Sequence, residues 1–109
     1  MIIDFSQIAE ASHPQFKGGE GALNARMYFD GKCRIMKGRL TPGSSIGLHT
    51  HDTNSEMLFV IEGEGTLIDD GAPSPISAGQ CAYCPKGHSH SLVNTSAADL
   101  VFYACVPNQ

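Results

Sequence analysis

From Met27 onward, apolar and polar residues alternate in short runs broken by glycine and proline, and the period is two rather than 3.6. Met27 to Asp30, Gly31-Lys32 and Cys33 to Leu40 read as a hairpin with glycine in its turn, closed by Thr41-Pro42-Gly43. Further short strands are predicted over Gly47 to His51, Glu56 to Ile61, Thr66 to Asp69, Gln80 to Cys84, His88 to Asn94 and Leu100 to Val106. Gly63-Glu64-Gly65, Asp70-Gly71 and Pro85-Lys86-Gly87 supply the turns between them. The stretch before Met27 differs in kind. Asp4 to Glu10 fits a capped turn of helix and Gly18-Gly19-Glu20-Gly21 interrupts regular structure, so residues 1–25 are expected to be irregular and partly helical.

Two strands are apolar on both parities: Leu100, Phe102, Ala104 and Val106 alternate with Val101, Tyr103 and Cys105, and Met57, Phe59 and Ile61 with Leu58 and Val60. Such strands need cover on both faces, which implies an inner core and an outer contact surface, with a homodimer as the expected assembly. Short strands with almost no helix signal make an all-β protein, and periodicity alone does not separate a sandwich from a closed barrel. With 109 residues and no linker, repeat or low-complexity stretch, one domain over residues 1–109 is expected.

Composition narrows the function classes. Seven scattered Lys and Arg against eleven Asp and Glu give a formal charge of −4, which argues against a nucleic-acid partner. No apolar run approaches the roughly 18 residues of a membrane span, and Met1-Ile2-Ile3-Asp4 does not open a leader, so a cytoplasmic protein without a membrane partner is expected. Four cysteines are too few for a disulfide framework and are expected to be reduced. Cys81 and Cys84 form a C-x-x-C that suits a redox pair or half a zinc site. No second such pair exists, however, and positions three apart on a strand face opposite sides, so inert buried thiols are the favoured reading.

Histidine is the discriminating residue. Four of five fall in two tight groups, His49-x-His51 and His88-x-His90. Residues two apart on a strand point the same way, so each pair can aim two imidazoles at one place. Glu56 stands at the start of the apolar run Met57-Leu58-Phe59-Val60-Ile61, where a carboxylate needs a partner.

In these spacings the chain resembles the cupin superfamily. Gly43, five residues, His49-x-His51, four residues, Glu56, six residues and Gly63 reproduce its first motif. Gly79, five residues, Pro85-x-Gly87, two residues, His90, three residues and Asn94 reproduce its second. At roughly one in twenty per residue type, a chance match of all ten fixed positions at one register is on the order of 10⁻¹³. The motifs occupy residues 43–94 with a short separation, which looks like the compact, stand-alone, single-domain cupins of microbes.

The resemblance implies a double-stranded β-helix, the RmlC-like jelly-roll barrel, holding one divalent transition metal on His49, His51, Glu56 and His90. Nitrogen and oxygen donors without thiolate favour Mn²⁺, Fe²⁺, Ni²⁺, Co²⁺ or Zn²⁺. Gly43, Gly63, Gly79, Gly87 and Pro85 are expected to shape turns, and Asn94 to point inward or stabilise a turn. His88, with the parity of His90, is the candidate catalytic residue as proton shuttle, against a place at the barrel mouth in water. His13 is expected at the surface. One of Arg34, Lys37 and Arg39 can pair with a substrate carboxylate or phosphate if it faces the interior, and Tyr83 is expected to pack. Gln80 stands where many cupins carry an acid.

A metal-dependent enzyme on a small anionic metabolite, with oxygenase-like or oxalate-decarboxylase-like chemistry, is the leading expectation. A non-catalytic, metal-dependent module that binds or senses a small ligand is the alternative, and a sugar or sugar-phosphate isomerase or epimerase the third.

Overall fold

Period-two alternation becomes two antiparallel sheets in the computed structural model, which describes residues 1–109. The strands are β1 (Ala11–Pro14), β2 (Ala22–Phe29), β3 (Cys33–Leu40), β4 (Ser45–Thr50), β5 (Glu56–Glu62), β6 (Glu64–Asp69), β7 (Ala72–Ser77), β8 (Cys81–Cys84), β9 (Ser89–Val93) and β10 (Leu100–Pro107). Six form one sheet in the order β1-β2-β3-β10-β5-β8, and four form the other in the order β4-β9-β6-β7. The fold is an all-β jelly roll, as the motif spacing implies.

The core lies between the sheets. Leu23, Leu40, Leu58, Leu100 and Phe102 of the larger sheet are all but sealed from solvent and join one apolar cluster with Ile46, Ile76 and Leu92 of the smaller. Phe102 is paired across the ladder with Gly38, and any Cβ at position 38 would strike the Phe102 ring. The largest core side chain therefore rests on the one residue that leaves it room.

The doubly apolar strands have unequal faces. Leu58, Val60, Leu100, Phe102 and Ala104 enter the core, while Phe59, Ile61 and Tyr83 are exposed on the outer face of the larger sheet. Part of that face is covered from within the chain, since Phe5 lies 5.5 Å from Tyr103.

Two strands depart from the sequence expectation. β1 lies inside the segment expected to be irregular, where Ala11 to Pro14 pair with Ala22 to Ala25, so β2 begins five residues before Met27. Only the turn at Phe5–Gln7, capped by Asp4, and the turn at Phe16–Gly18 match that expectation. β7 carries Pro73 and Pro75, which break a central strand but are harmless on an edge, and β7 pairs with β6 alone. Gly43, Gly63, Gly79 and Gly87 all take φ between 81° and 93°, the turn role expected of them.

Asn94 resolves in favour of the turn. Only 1% exposed, it donates Nδ2–H to the carbonyls of Leu40 and Ala98, each at 2.8 Å, and its Oδ1 accepts from Ser96. Truncating it removes the side-chain donor to the buried Leu40 carbonyl of β3 and leaves Ala98, in the β9–β10 connection, with Ser96 Oγ–H alone. Asn94→Ala is expected to destabilise the fold by about 1–3 kcal/mol, measured as a lowered urea midpoint, with metal content per chain unchanged. An unaltered midpoint would refute the assignment.

Candidate metal centre

The two histidine-bearing strands are neighbours, and a register shift brings their imidazoles together. On the β4–β9 ladder Ile46 pairs with Leu92, yet His49 pairs with His90, so one extra residue is accommodated at Gly47 and Leu48. Without this bulge, Leu48 would share the inward parity of Ile46 and stand opposite His90. With it, Leu48 turns out to 65% exposure and His49 and His51 turn in. Pairing continues past the strand ends, with His51 N–H donating to the His88 carbonyl at 3.0 Å and Gly87 N–H to the His51 carbonyl at 2.7 Å. Glu56 arrives from β5 of the other sheet.

The four side chains converge. His49, His51 and His90 stand with ring centroids 4.8–4.9 Å apart, and the ligating atoms of all four residues lie within 4.8 Å of one another. Two supports fix the tautomers, because a carbonyl oxygen can only accept. His49 Nδ1–H donates to the Gly47 carbonyl at 2.7 Å, and His51 Nδ1–H donates to Asn54 Oδ1 at 2.5 Å. Each neutral ring is left with its Nε2 lone pair free.

That orientation is the test of whether a metal fits. The His51 Nε2 lone pair lies 3.2 Å from Glu56 Oε1 and 3.0 Å from His90 Nε2, and His90 Nε2 lies 2.8 Å from the same carboxylate oxygen. Lone pairs this close in a buried site repel unless a cation stands among them. A proton serves in part: the hydrogen bond to Glu56 raises the His51 pKa above its ordinary value. Burial opposes ionisation of Glu56, but hydrogen bonds from His51 and His90 outweigh it and hold the carboxyl at about 2. Burial also pushes the His49 pKa down, which keeps that ring in the neutral form a metal needs. One divalent ion satisfies all four donors together, and the buried cluster suits it.

His49, His51 and Glu56 line a cavity of about 440 Å³, with His90 directly behind them, inside the roughly 300–1,000 Å³ range of small-molecule sites. Arg34 is the member of the basic trio that lines it, because β3 turns Arg34, Met36 and Leu40 toward the interior. Lys37 and Arg39 face outward, Arg39 being bound to Glu10 at 2.8 Å and Asp99 at 3.3 Å. Tyr83 is exposed and outside the cavity. His13, expected at the surface, is half-buried and lines the cavity, edge-on to Phe16 with centroids 5.7 Å apart.

His88 does not line the cavity. It precedes β9 within the turn closed by Gly87, so strand parity does not reach it, and its Nδ1 meets Asp70 Oδ2 at 2.6 Å in solvent. Cys84 is buried, and burial pushes its thiol up to about 11. Cys81, expected to be buried, is exposed on the opposite side. No residue pattern pointed to Cys33 and Cys105, which lie on adjacent strands and bring their sulfurs to 3.4 Å. Asn54 was also invisible, since it lies in the irregular link before β5 and acts only through His51.

Comparison with known proteins agrees with this geometry. The profile of the family described as "Cupin domain" matches residues 36–106. A curated relative from Thermotoga maritima, named an oxalate-binding protein, is 33% identical over 112 residues that cover 97% of this chain and 93% of its own. A solved structure from Thermotoga maritima, described as a predicted oxalate decarboxylase, superposes with a TM-score of 0.93 at 32% identity and covers both chains in full. A sugar phosphate isomerase from Silicibacter pomeroyi is similar in fold, with a TM-score of 0.79 at 23% identity over 100% of this chain and 76% of its own.

Two substitutions test the centre. His49→Ala with His51→Ala is expected to leave a soluble fold that retains no divalent metal by elemental analysis, and unchanged metal content would sink the ligand set. Asn54→Ala is expected to weaken metal affinity about 10- to 100-fold by freeing the His51 ring. Equal affinity in a chelator competition would show that Asn54 plays no part.

Proposed function

The chain belongs to the cupin family, and on that premise we propose that it captures a small dicarboxylate of the oxalate class through a divalent metal held by His49, His51, Glu56 and His90. The observation that carries this reading is a cluster of three imidazoles and one carboxylate, of which His49, His51 and Glu56 line a cavity whose wall includes Arg34. The name of the Thermotoga maritima relative supports the same ligand class.

When bound, the ion supplies Lewis acidity toward carboxylate oxygens. The rest falls to the chain's own groups. Gly47 and Asn54 hold two imidazoles in the ligating tautomer, and Phe16, Met27, Met36 and Val106 give the wall an apolar part that limits water. Arg34 offers a planar fork to a carboxylate, with its guanidinium stacked over Phe29 at 4.6 Å.

Turnover to formate and carbon dioxide is the second reading, favoured by the description of the superposing structure as a predicted oxalate decarboxylase. It requires a proton donor facing the substrate. His88 is turned to Asp70, so we assign it to anchoring the Asp70 turn. This leaves Asp52 and His13 as the titratable, non-ligand, non-cationic groups on the cavity wall. Capture is the reading we adopt, because the Thermotoga maritima relative is named for binding oxalate. No helix of the chain is long and apolar enough to cross a membrane. The exposed Phe59, Ile61 and Tyr83 are the face through which we propose that two copies pair.

Calorimetry with manganese-loaded protein is expected to show oxalate binding that vanishes after the metal is stripped with a chelator and returns on reloading. Arg34→Met is expected to weaken it about tenfold, the loss of one charged hydrogen-bonding partner. Binding that survives metal removal would overturn the proposal. Steady release of carbon dioxide from oxalate would replace capture with turnover.

A further inference from the structure

Lys17 is the one residue of the cavity wall that the fold holds in a strained backbone. It has φ 55° and ψ 28°, and Gln15, two residues before, has φ 50° and ψ 45°. Left-handed conformations are ordinary for glycine and costly for a lysine. Glycine is plentiful here, at 18, 19 and 21, yet these two positions lack it.

The strained stretch is clamped to the metal-bearing strand. A Cβ on Gly47 would collide with the Lys17 carbonyl, and one on Gly19 would collide with the Ser45 carbonyl, so two glycines permit backbone-to-backbone contact between the turn at Phe16–Gly18 and β4. Gly47 is also the bulge residue whose carbonyl fixes His49. The turn is thus built onto the support of the centre, with Phe16 packed on the core and Lys17 on the cavity wall. The Lys17 ammonium lies 5.6 Å from the Phe16 centroid, and Lys17 shares the cavity lining with His49, His51 and Glu56.

We propose that Lys17 is a specificity-determining residue that makes the cavity select dianions over monoanions, an inference that rests on the metal-dependent anion capture proposed above. Charge decides the matter. With the histidines neutral, a divalent ion on Glu56 leaves one positive charge at the centre, and Arg34 and Asp52 cancel on the wall. Lys17 adds the second positive charge, which matches a dicarboxylate and overmatches a monocarboxylate. The turn holds Lys17 on the cavity wall, within which the second carboxylate of a metal-held dianion would lie.

The test compares oxalate, malonate and glyoxylate on manganese-loaded wild type, Lys17→Met, Lys17→Arg and Lys17→Gly by calorimetry. Metal content should be the same in all four. Lys17→Met is expected to bind the two dianions about tenfold more weakly and glyoxylate within about twofold of wild type. Lys17→Arg should restore most of the preference. Raising the ionic strength should weaken dianion binding more in wild type than in Lys17→Met, a difference that packing alone would not produce. Lys17→Gly relieves the positive φ, so it should melt no lower than wild type while binding dianions as poorly as Lys17→Met. If wild type binds a dianion and Lys17→Met binds it equally well, the Lys17 assignment falls and the capture reading stands. If wild type binds a dicarboxylate other than oxalate with the expected Lys17 dependence, the choice of oxalate falls and the assignment stands. If wild type binds none of the three anions, both fall.

Discussion

The centre depends on one extra residue in β4. A strand can present only alternate side chains to the core, and the inward position of Ile46 would carry Leu48 and Thr50 inward with it. The bulge at Gly47 and Leu48 reverses that parity midway, so one strand serves the apolar core at Ile46 and the polar cluster at His49 and His51. The exposed Leu48 is what the reversal leaves behind. Gly47 suits the position three times over: it permits the bulge, lends its carbonyl to His49, and lets the Lys17 backbone lie against it.

The same cluster is costly until it is filled. A buried carboxylate, two buried imidazoles and the half-buried His49 ring cannot be covered by apolar packing, and the His51 Nε2 lone pair is crowded by Glu56 Oε1 and His90 Nε2. Protonation offers partial relief, at the price of positive charge on rings that ligate only when neutral. Where those rings donate to it, Glu56 is held ionised, because its two imidazole partners outweigh the penalty of burial. The donors are thus arranged for a cation before one arrives, which is the condition for tight and directional metal binding.

Much of this was legible in the sequence, and the rest was hidden for definite reasons. That His49, His51, Glu56 and His90 would converge was readable, because a cluster suited to a metal ion leaves its trace in residue type and spacing. The strand pattern likewise gave β3 without error and β5 to within a residue. β7 was hidden by Pro73 and Pro75, because only the tertiary arrangement reveals that it is an edge. β1 was hidden by its surroundings, four residues whose pairing with β2 is non-local information. His88 shows the limit of parity arguments: the rule that aligned it with His90 requires a strand, and the strand starts at Ser89. Asn54 and Lys17 left no trace, since one acts through a ring nitrogen and the other through a backbone angle.

The origin of the four ligands gives the ion a second consequence. Three histidines come from the smaller sheet or its extension and Glu56 from the larger, so a bound ion joins the two layers at the end of the sandwich where the apolar cluster gives way to the cavity. A domain of this size has a modest core and gains proportionately from any tie between its layers. An ion that binds the folded chain and not the unfolded one adds about 2.7 kcal/mol at a hundredfold excess over its dissociation constant, a sizeable share of the roughly 5–15 kcal/mol that holds a typical domain together. Glu56 is therefore the ligand on which this tie turns. Any histidine is one of three on the smaller sheet, but Glu56 alone carries the link to the larger one.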